Sequence, residues 1–457
     1  MKVGSNMKDN LLTKLFWYFT ILVFSIITII FTIKSYLIFA ILAYLVVLFI
    51  ALKTNIKKFP VILFITSLVI RLILINVINY SSFDDYKTLI KASWKFANHD
   101  YTFANTTYFK MWGYQTGLVI YQGTILKIFG TEMAIKIINS IVSSLTVLLV
   151  YYVSKKLTNE KVAKISSILY MILPISLIMN AMLNNQILSA GLMYLGILFL
   201  IKKETTIKDY IVAAVLISLG NIIRPEGIVV VFSLLVFSIL KLKKETIINT
   251  GKKLLVFIVI YMSIGTVASM IVQRLDINPV GLKNTNPLWK FVLGFNPDHC
   301  GYYNEDDEAI IQDKELEKKV IVERIKSKKM PKLMVCKASH FWLLPEENSR
   351  SESLENKTIT IMGYTIKYSL IENISLKFNN YVYFITLFMC FIGVILNRKK
   401  IYEDNSVFFV IMLVTTFFVY LLIEINPKYI YFALISIFIL SSYGYDYFLK
   451  KIEKGNH

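Results

Sequence analysis

Asp84 and Asp85 stand side by side just after a long apolar segment ends. Two carboxylates at a membrane boundary are costly to keep without a partner or a task. A carboxylate there can take a proton from a hydroxyl as a general base, or hold a divalent cation. Helix chemistry gives the plainer account. Ser82 and Asp85 are spaced as in a capping box, and Asp84 can pair with Lys87 one turn on. Cations that could face the acids occur elsewhere. Arg224 lies in Arg224-Pro225-Glu226-Gly227, and Lys428 follows Glu424 by one turn. Each can grip a phosphate, or simply pair with the glutamate beside it. Lys110 is a further candidate of this kind. Arg71 sits inside an apolar run, where it either pairs with Asp84 or Asp85 or touches a ligand.

Other polar groups carry less. His99-Asp100 and His340 have no His/Cys spacing that suits zinc. Asn304-Glu305-Asp306-Asp307 reads as an N-capped acidic turn more simply than as a cation site. Cys300 and Cys336 share one loop, and the sequence leaves open whether they are bridged. Cys390 falls in an apolar segment and reads as a packing residue. No phosphate-binding glycine loop or dinucleotide fingerprint is present.

The elements that must position these groups are membrane helices. Apolar residues make up 56% of the chain and the mean hydropathy is +0.59, values that exclude an ordinary soluble domain. Apolar runs recur near 15–33, 36–52, 59–78, 133–153, 162–182, 185–201, 209–223, 226–240, 254–273, 380–397, 405–423 and 429–448. No small-residue cleavage site follows Leu15–Ile33, so that run reads as a span and not as a leader. Pro174 should kink its helix. The expectation is an all-α polytopic membrane protein of about twelve transmembrane helices.

Lysines set the orientation. Lys53, Lys57 and Lys58, Lys155 and Lys156, Lys202 and Lys203, Lys241 to Lys244, Arg398 to Lys400, and Lys450 and Lys451 all fall on one side. The positive-inside rule makes that side cytoplasmic, with both termini. The net charge of +20 is then topological and calls for no nucleic acid.

Two segments interrupt the bundle on the opposite, outer side. In the first, 79–132, Tyr86, Leu89, Ile90, Trp94 and Ala97 share a helical face opposite Lys87, Lys91 and Lys95. This predicts an amphipathic helix on the membrane surface. Gly113–Gly130 predicts a second juxtamembrane or re-entrant helix. The second segment, 274–379, predicts a small α+β outer loop domain. It has a charged helix near 305–329 and a hairpin over Lys357–Tyr368 turning at Met362-Gly363. The organisation is a transmembrane module 1–273, the loop domain 274–379 and C-terminal transmembrane helices 380–457.

These residues together resemble the GT-C superfamily of membrane glycosyltransferases, in the bacterial branch of protein O-mannosyltransferases and aminoarabinose transferases. The motifs are Arg71 before Phe83-Asp84-Asp85-Tyr86, then Leu126-Lys127-Ile128-Phe129-Gly130, then Ile172-Leu173-Pro174. Arg224-Pro225-Glu226-Gly227 and Glu424-Ile425-Asn426-Pro427-Lys428-Tyr429 follow. Two positions depart from the pattern: Asn184-Asn185-Gln186 replaces a common Thr-Glu turn, and Lys428 stands where Arg is usual. The paired-Trp signature of oligosaccharyltransferases is absent, which argues against that branch.

The resemblance implies a glycosyltransferase that moves a hexosyl or pentosyl group from a polyprenyl-phosphate carrier to an acceptor, with inversion. The acceptor is a glycan, lipid or protein of the cell envelope, and the active site is extracytoplasmic in the cell membrane. Asp84 is then the leading base and Asp85 the second acid. Arg224, Lys428, Lys110 and Arg71 bind substrate. A divalent cation, Mg or Mn, would be held by Asp84 and Asp85 if one is used. Membrane lipids are partners and nucleic acid is not. The alternative is a lipid-linked oligosaccharide flippase or transporter without catalysis, which should carry polar groups at the bilayer midplane.

Overall fold

A computed structural model describes residues 11–33, 58–77, 84–242, 247–342, 358–361 and 364–455. The expected span 36–52, Ser82, and the turn Met362-Gly363 lie outside the described residues. The fold is almost wholly helical. In chain order it has α1 (Leu11–Ile33), α2 (Phe59–Val77), α3 (Asp84–Ala97), α4 (Thr107–Met111), α5 (Thr116–Phe129) and α6 (Glu132–Leu157). Next come α7 (Glu160–Ile172), α8 (Pro174–Ala181), α9 (Gln186–Leu200), α10 (Ile207–Ile223), α11 (Gly227–Lys241) and α12 (Ile247–Arg274). A loop region carries α13 (Trp289–Gly294), α14 (Lys314–Ile325) and α15 (Met330–Trp342). The chain continues through β1 (Thr358–Ile361) and β2 (Tyr364–Lys367) to α16 (Tyr368–Leu396), α17 (Arg398–Glu403), α18 (Val407–Leu422) and α19 (Tyr431–Gly455).

Among the described residues, Phe59–Val77, Glu132–Leu157, Ile247–Arg274, Lys377–Leu396 and Lys428–Glu453 are each long and apolar enough to cross a membrane. The pair α7 and α8, bent by 46°, makes a sixth span if counted as one. The chain is a multi-pass membrane protein. Among the described residues, five or six of the about twelve expected spans are thus helices of full length. α9, α11 and α18 fall on expected spans, but at 15 to 16 residues they rise less than the roughly 30 Å of a hydrocarbon core.

Pro174 breaks its helix where a kink was expected. Leu173, just before the proline, is extended at φ −63°, ψ 116°, because the proline ring disfavours helical backbone at the preceding residue. The new helix starts with Pro174 in its first turn, and Asn379 Oδ1 accepts from the Ile175 amide at 3.0 Å.

The lysine-bearing helix ends are tied to one another. Lys155 meets Glu160 at 2.7 Å, Lys161 meets Glu453 at 3.0 Å, and Asn159 donates to Asp446 at 2.7 Å. Asn405 donates to the Lys202 carbonyl at 3.0 Å. These contacts gather the basic loops at one end of the bundle.

At the other end α3 and α5 pack together. Tyr86, Leu89 and Ile90 are buried and Lys87, Lys91 and Lys95 are exposed, as the amphipathic pattern predicts. The partner of the apolar face differs from expectation: it is protein, not the membrane surface. Ser93 donates to Gln122 at 3.1 Å, and a Cβ on Gly123 would lie 2.5 Å from the Phe96 ring. Trp94 donates its indole N–H to Glu132 at 2.9 Å. Helix α5 ends on Gly130 at φ 67°, a left-handed cap that glycine adopts without steric cost.

The loop region has its own small core of Trp289, Val292 and Leu293, with Trp112, Ile310, Ile311 and Ile321 against it. Buried Asp307 pairs with Arg324 at 2.6 Å and accepts from Asn296 and Asn304. Burial alone would raise the Asp307 carboxyl, but the Arg324 bond and the two asparagines hold it below the usual range. The acidic turn is therefore structural. Cys300 and Cys336 are bridged. β1 and β2 pair antiparallel with Ile361 opposite Tyr364, the register of the expected hairpin.

Candidate active site

Three connections bring the loop region onto the bundle. The Thr285 amide donates to Met111 O at 2.9 Å, the Glu424 amide to Lys290 O at 2.8 Å, and the Ile425 amide to Gly301 O at 2.9 Å. Between these contacts lies a cavity of about 970 Å³. Its wall includes Asp85, Arg224, Glu226, Lys290, Glu424 and Lys428, with an aromatic lining that includes Tyr86, Tyr108, Trp112 and Tyr114.

Asp85 stands in the first turn of α3, where a negative charge suits the helix N-terminus. It is exposed to the cavity and makes no ion pair among the described residues. The neighbouring Tyr108 phenol is pushed well up, first by burial and then by the charge of Asp85. Asp84 opens the same helix; its side chain lies outside the described residues.

Arg224 is the cap residue where α10 ends, with extended backbone at φ −151°. Its Nε donates to Glu226 Oε1 at 2.6 Å and its Nη1 to Asn185 Oδ1 at 3.1 Å. The guanidinium carbon lies 4.7 Å from the centre of the Tyr429 ring. The residue is thus both paired with Glu226 and turned to the cavity, and the two readings of the sequence coexist. Lys428 enters from the short turn between α18 and α19, where Asn426 accepts from its amide at 3.1 Å. The departure Asn184-Asn185-Gln186 is also in place here: Asn185 holds Arg224, and Gln186 accepts from the Tyr86 hydroxyl at 3.0 Å.

Glu424 has a partner the sequence did not reveal. It pairs with Lys290 of α13, not with Lys428. Burial alone would lower the Lys290 ammonium, but Glu424 holds it well above its usual value. Behind this pair, fully buried Lys337 donates to the carbonyls of Gly294, Leu421 and Ile423 at 2.7 to 2.8 Å. Burial pushes that ammonium down to about 7, with Glu424 acting against it.

Two candidates fall elsewhere. Lys110 is exposed and does not line the cavity. Arg71 is fully buried inside the bundle, bonded to Ser67 Oγ at 2.6 Å and Ser176 Oγ at 3.3 Å. Neither Asp85 nor any other described carboxylate pairs with it. The helix rotates Arg71 toward hydroxyl-bearing neighbours, a direction its position in an apolar run does not reveal.

Of the described carboxylates at the cavity, Glu226 and Glu424 are bound to Arg224 and Lys290, and Asp85 faces the cavity from the first turn of α3.

No curated protein matches this chain. Among solved structures, the archaeal oligosaccharyltransferase AglB from Archaeoglobus fulgidus, in complex with an inhibitory peptide and a dolichol-phosphate, aligns at 14% identity and a TM-score of 0.46. The alignment covers 88% of this chain and 51% of that one, so this chain spans about half the length of AglB. Residues 120–268 match the family described as dolichyl-phosphate-mannose-protein mannosyltransferase, which bears out the resemblance of this membrane protein to GT-C glycosyltransferases.

Proposed function

We propose that the protein transfers a sugar from a polyprenyl-phosphate carrier to an acceptor hydroxyl on the outer face of the membrane. The observation that carries this reading is the meeting of a carboxylate, Asp85, with Arg224 and Lys428 in a single cavity. The family matched by residues 120–268 is one whose description names a dolichyl-phosphate sugar donor, which supports the same donor chemistry here.

In this reading Asp85 takes the proton of the acceptor hydroxyl. The hydroxyl oxygen bonds to the anomeric carbon from the face opposite the phosphate. The bond from that carbon to the phosphate oxygen breaks with its electron pair. Arg224 and Lys428 receive the charge on the leaving phosphate. Glu226 and Asn185 hold Arg224 in place, so its position is set before substrate arrives. Helices of 1–273 and 380–457 enclose the carrier lipid, and 274–379 covers the cavity. A transporter would present its charges along a path through the bilayer; the cavity charges here cluster at helix ends and turns.

The test is turnover by purified protein in detergent against a panel of polyprenyl-phosphate hexoses and pentoses, read as release of polyprenyl phosphate. Asp85→Asn should lower turnover on the order of 10²-fold or more at unchanged expression. Full activity in Asp84→Asn, Asp85→Asn and the double variant would sink the assignment.

A further inference from the structure

A second group of reactive side chains lies outside the cavity. Cys300 and Cys336 form a disulfide. His340 Nδ1 lies 3.6 Å from Cys300 Sγ and 3.5 Å from Cys336 Sγ. Cys336 and His340 are four residues apart on α15, so they share one helix face. Cys300 comes from the facing loop, where it and Gly301 take left-handed φ of 53° and 77°. That sharp turn brings the third sulfur- or nitrogen-bearing side chain to the helix. One ligand atom from each residue falls within 4.8 Å of the others. The two cysteines are partly exposed and His340 is exposed, so reductants and ions can reach all three. His340 Nδ1 also lies 2.9 Å from Cys336 O, which orients the ring along the helix.

We propose that, once the disulfide is reduced, these residues bind a borderline-soft divalent cation such as Zn²⁺ through Cys300 Sγ, Cys336 Sγ and a His340 ring nitrogen. Two thiolates and an imidazole are ligands this class of ion prefers, and a water completes a four-coordinate shell. Reduction by a dithiol carries two electrons and two protons to the bridge and leaves the dithiol as a disulfide. Metal binding then releases the two thiol protons to solvent. The bridge and the metal use the same sulfurs, so each excludes the other. Spacing along the sequence conceals this site, because Cys300 and α15 are separated by the whole of α14. None of the three residues lines the cavity, and the inference is independent of the proposed transfer reaction.

The site adjoins the cavity wall. Gly301, next to Cys300, accepts from the Ile425 amide at 2.9 Å. Lys337, next to Cys336, donates to Leu421 and Ile423. Both reach the segment that carries Glu424.

The full chain in detergent, reduced with a dithiol and desalted without air, is titrated with Co²⁺ as the probe. The expected result is a thiolate-to-cobalt band that saturates at one equivalent and is displaced by Zn²⁺. The oxidised chain should give no band. His340→Gln keeps both cysteines and the bridge, and should weaken Co²⁺ binding on the order of tenfold or more. Absence of the band in the reduced wild type overturns the proposal, as does equal affinity in His340→Gln.

Discussion

Lys428 holds its ammonium 4.4 Å from the centre of the Tyr86 ring. The same tyrosine donates its hydroxyl to Gln186 at 3.0 Å. One side chain of α3 thus touches both the turn before α19 and the start of α9. The cation is steered by a ring face, a contact worth about 0.5–2 kcal/mol.

Replacing Tyr86 should therefore separate these two roles. Tyr86→Phe keeps the ring and loses the Gln186 bond, and substrate affinity should stay near wild type. Tyr86→Leu loses both, and KM should rise several-fold with a smaller change in kcat. Steady-state kinetics on the two variants decide it; equal kinetics in both would mean that the ring does not position Lys428.

Arg224→Lys preserves charge but not the planar fork that serves Glu226 and Asn185 together. We expect kcat/KM to fall on the order of tenfold or more, with the melting temperature within a few degrees of wild type. Arg224→Ala is a different case. It leaves Glu226 buried without its cation, and such losses cost about 3–5 kcal/mol. A thermal-shift measurement in detergent should show that variant melting well below the Lys variant.

Gly117 lets α5 approach α10. A Cβ there would lie 2.0 Å from the Ile222 carbonyl oxygen, a backbone atom that cannot turn aside. Gly117→Val should destabilise the protein by about 1–3 kcal/mol or more through overpacking. Size-exclusion profiles after mild heating would register this as early aggregation; an unchanged profile would argue against so close a helix contact.

Asp307 supplies a pH dependence. Its folded carboxyl sits below its ordinary value, so the unfolded chain binds the extra proton as pH falls. The stability it contributes is present above the ordinary carboxylate range and is lost as pH drops through the lower, folded value. Asp307→Asn should remove about 2 kcal/mol at neutral pH and flatten the acid limb of the stability curve. Melting temperatures of both proteins from neutral to acid pH give the comparison.

Much of this arrangement could be read from residue order. The Arg224-Pro225-Glu226-Gly227 and Lys428 turns fall on the same side of the lysine count as Asp85, and the structure brings all three to one cavity. The stripe Tyr86, Leu89, Ile90 announced a helix with one buried face. It could not say whether lipid or α5 covers that face, because both are apolar. Lys290 was hidden for another reason. It is one cation in a loop dense with lysine, and its role depends on a pairing with Glu424 across more than a hundred residues. Arg71 and Lys110 stood at suggestive places in the chain, but helix rotation turned one inward and the other to solvent. The disulfide was an open question that only the fold of the loop could answer.

The cavity draws on residues far apart in the sequence. Asp85 leaves the ribosome well before Lys428, by an interval of tens of seconds at roughly 5–20 residues per second. Until α18 and α19 are inserted, the acid has no wall opposite it and the Tyr86 ring has no cation. Synthesis itself thus acts as a timer: a chain that has not yet reached α18 and α19 holds a carboxylate but no enclosed chamber.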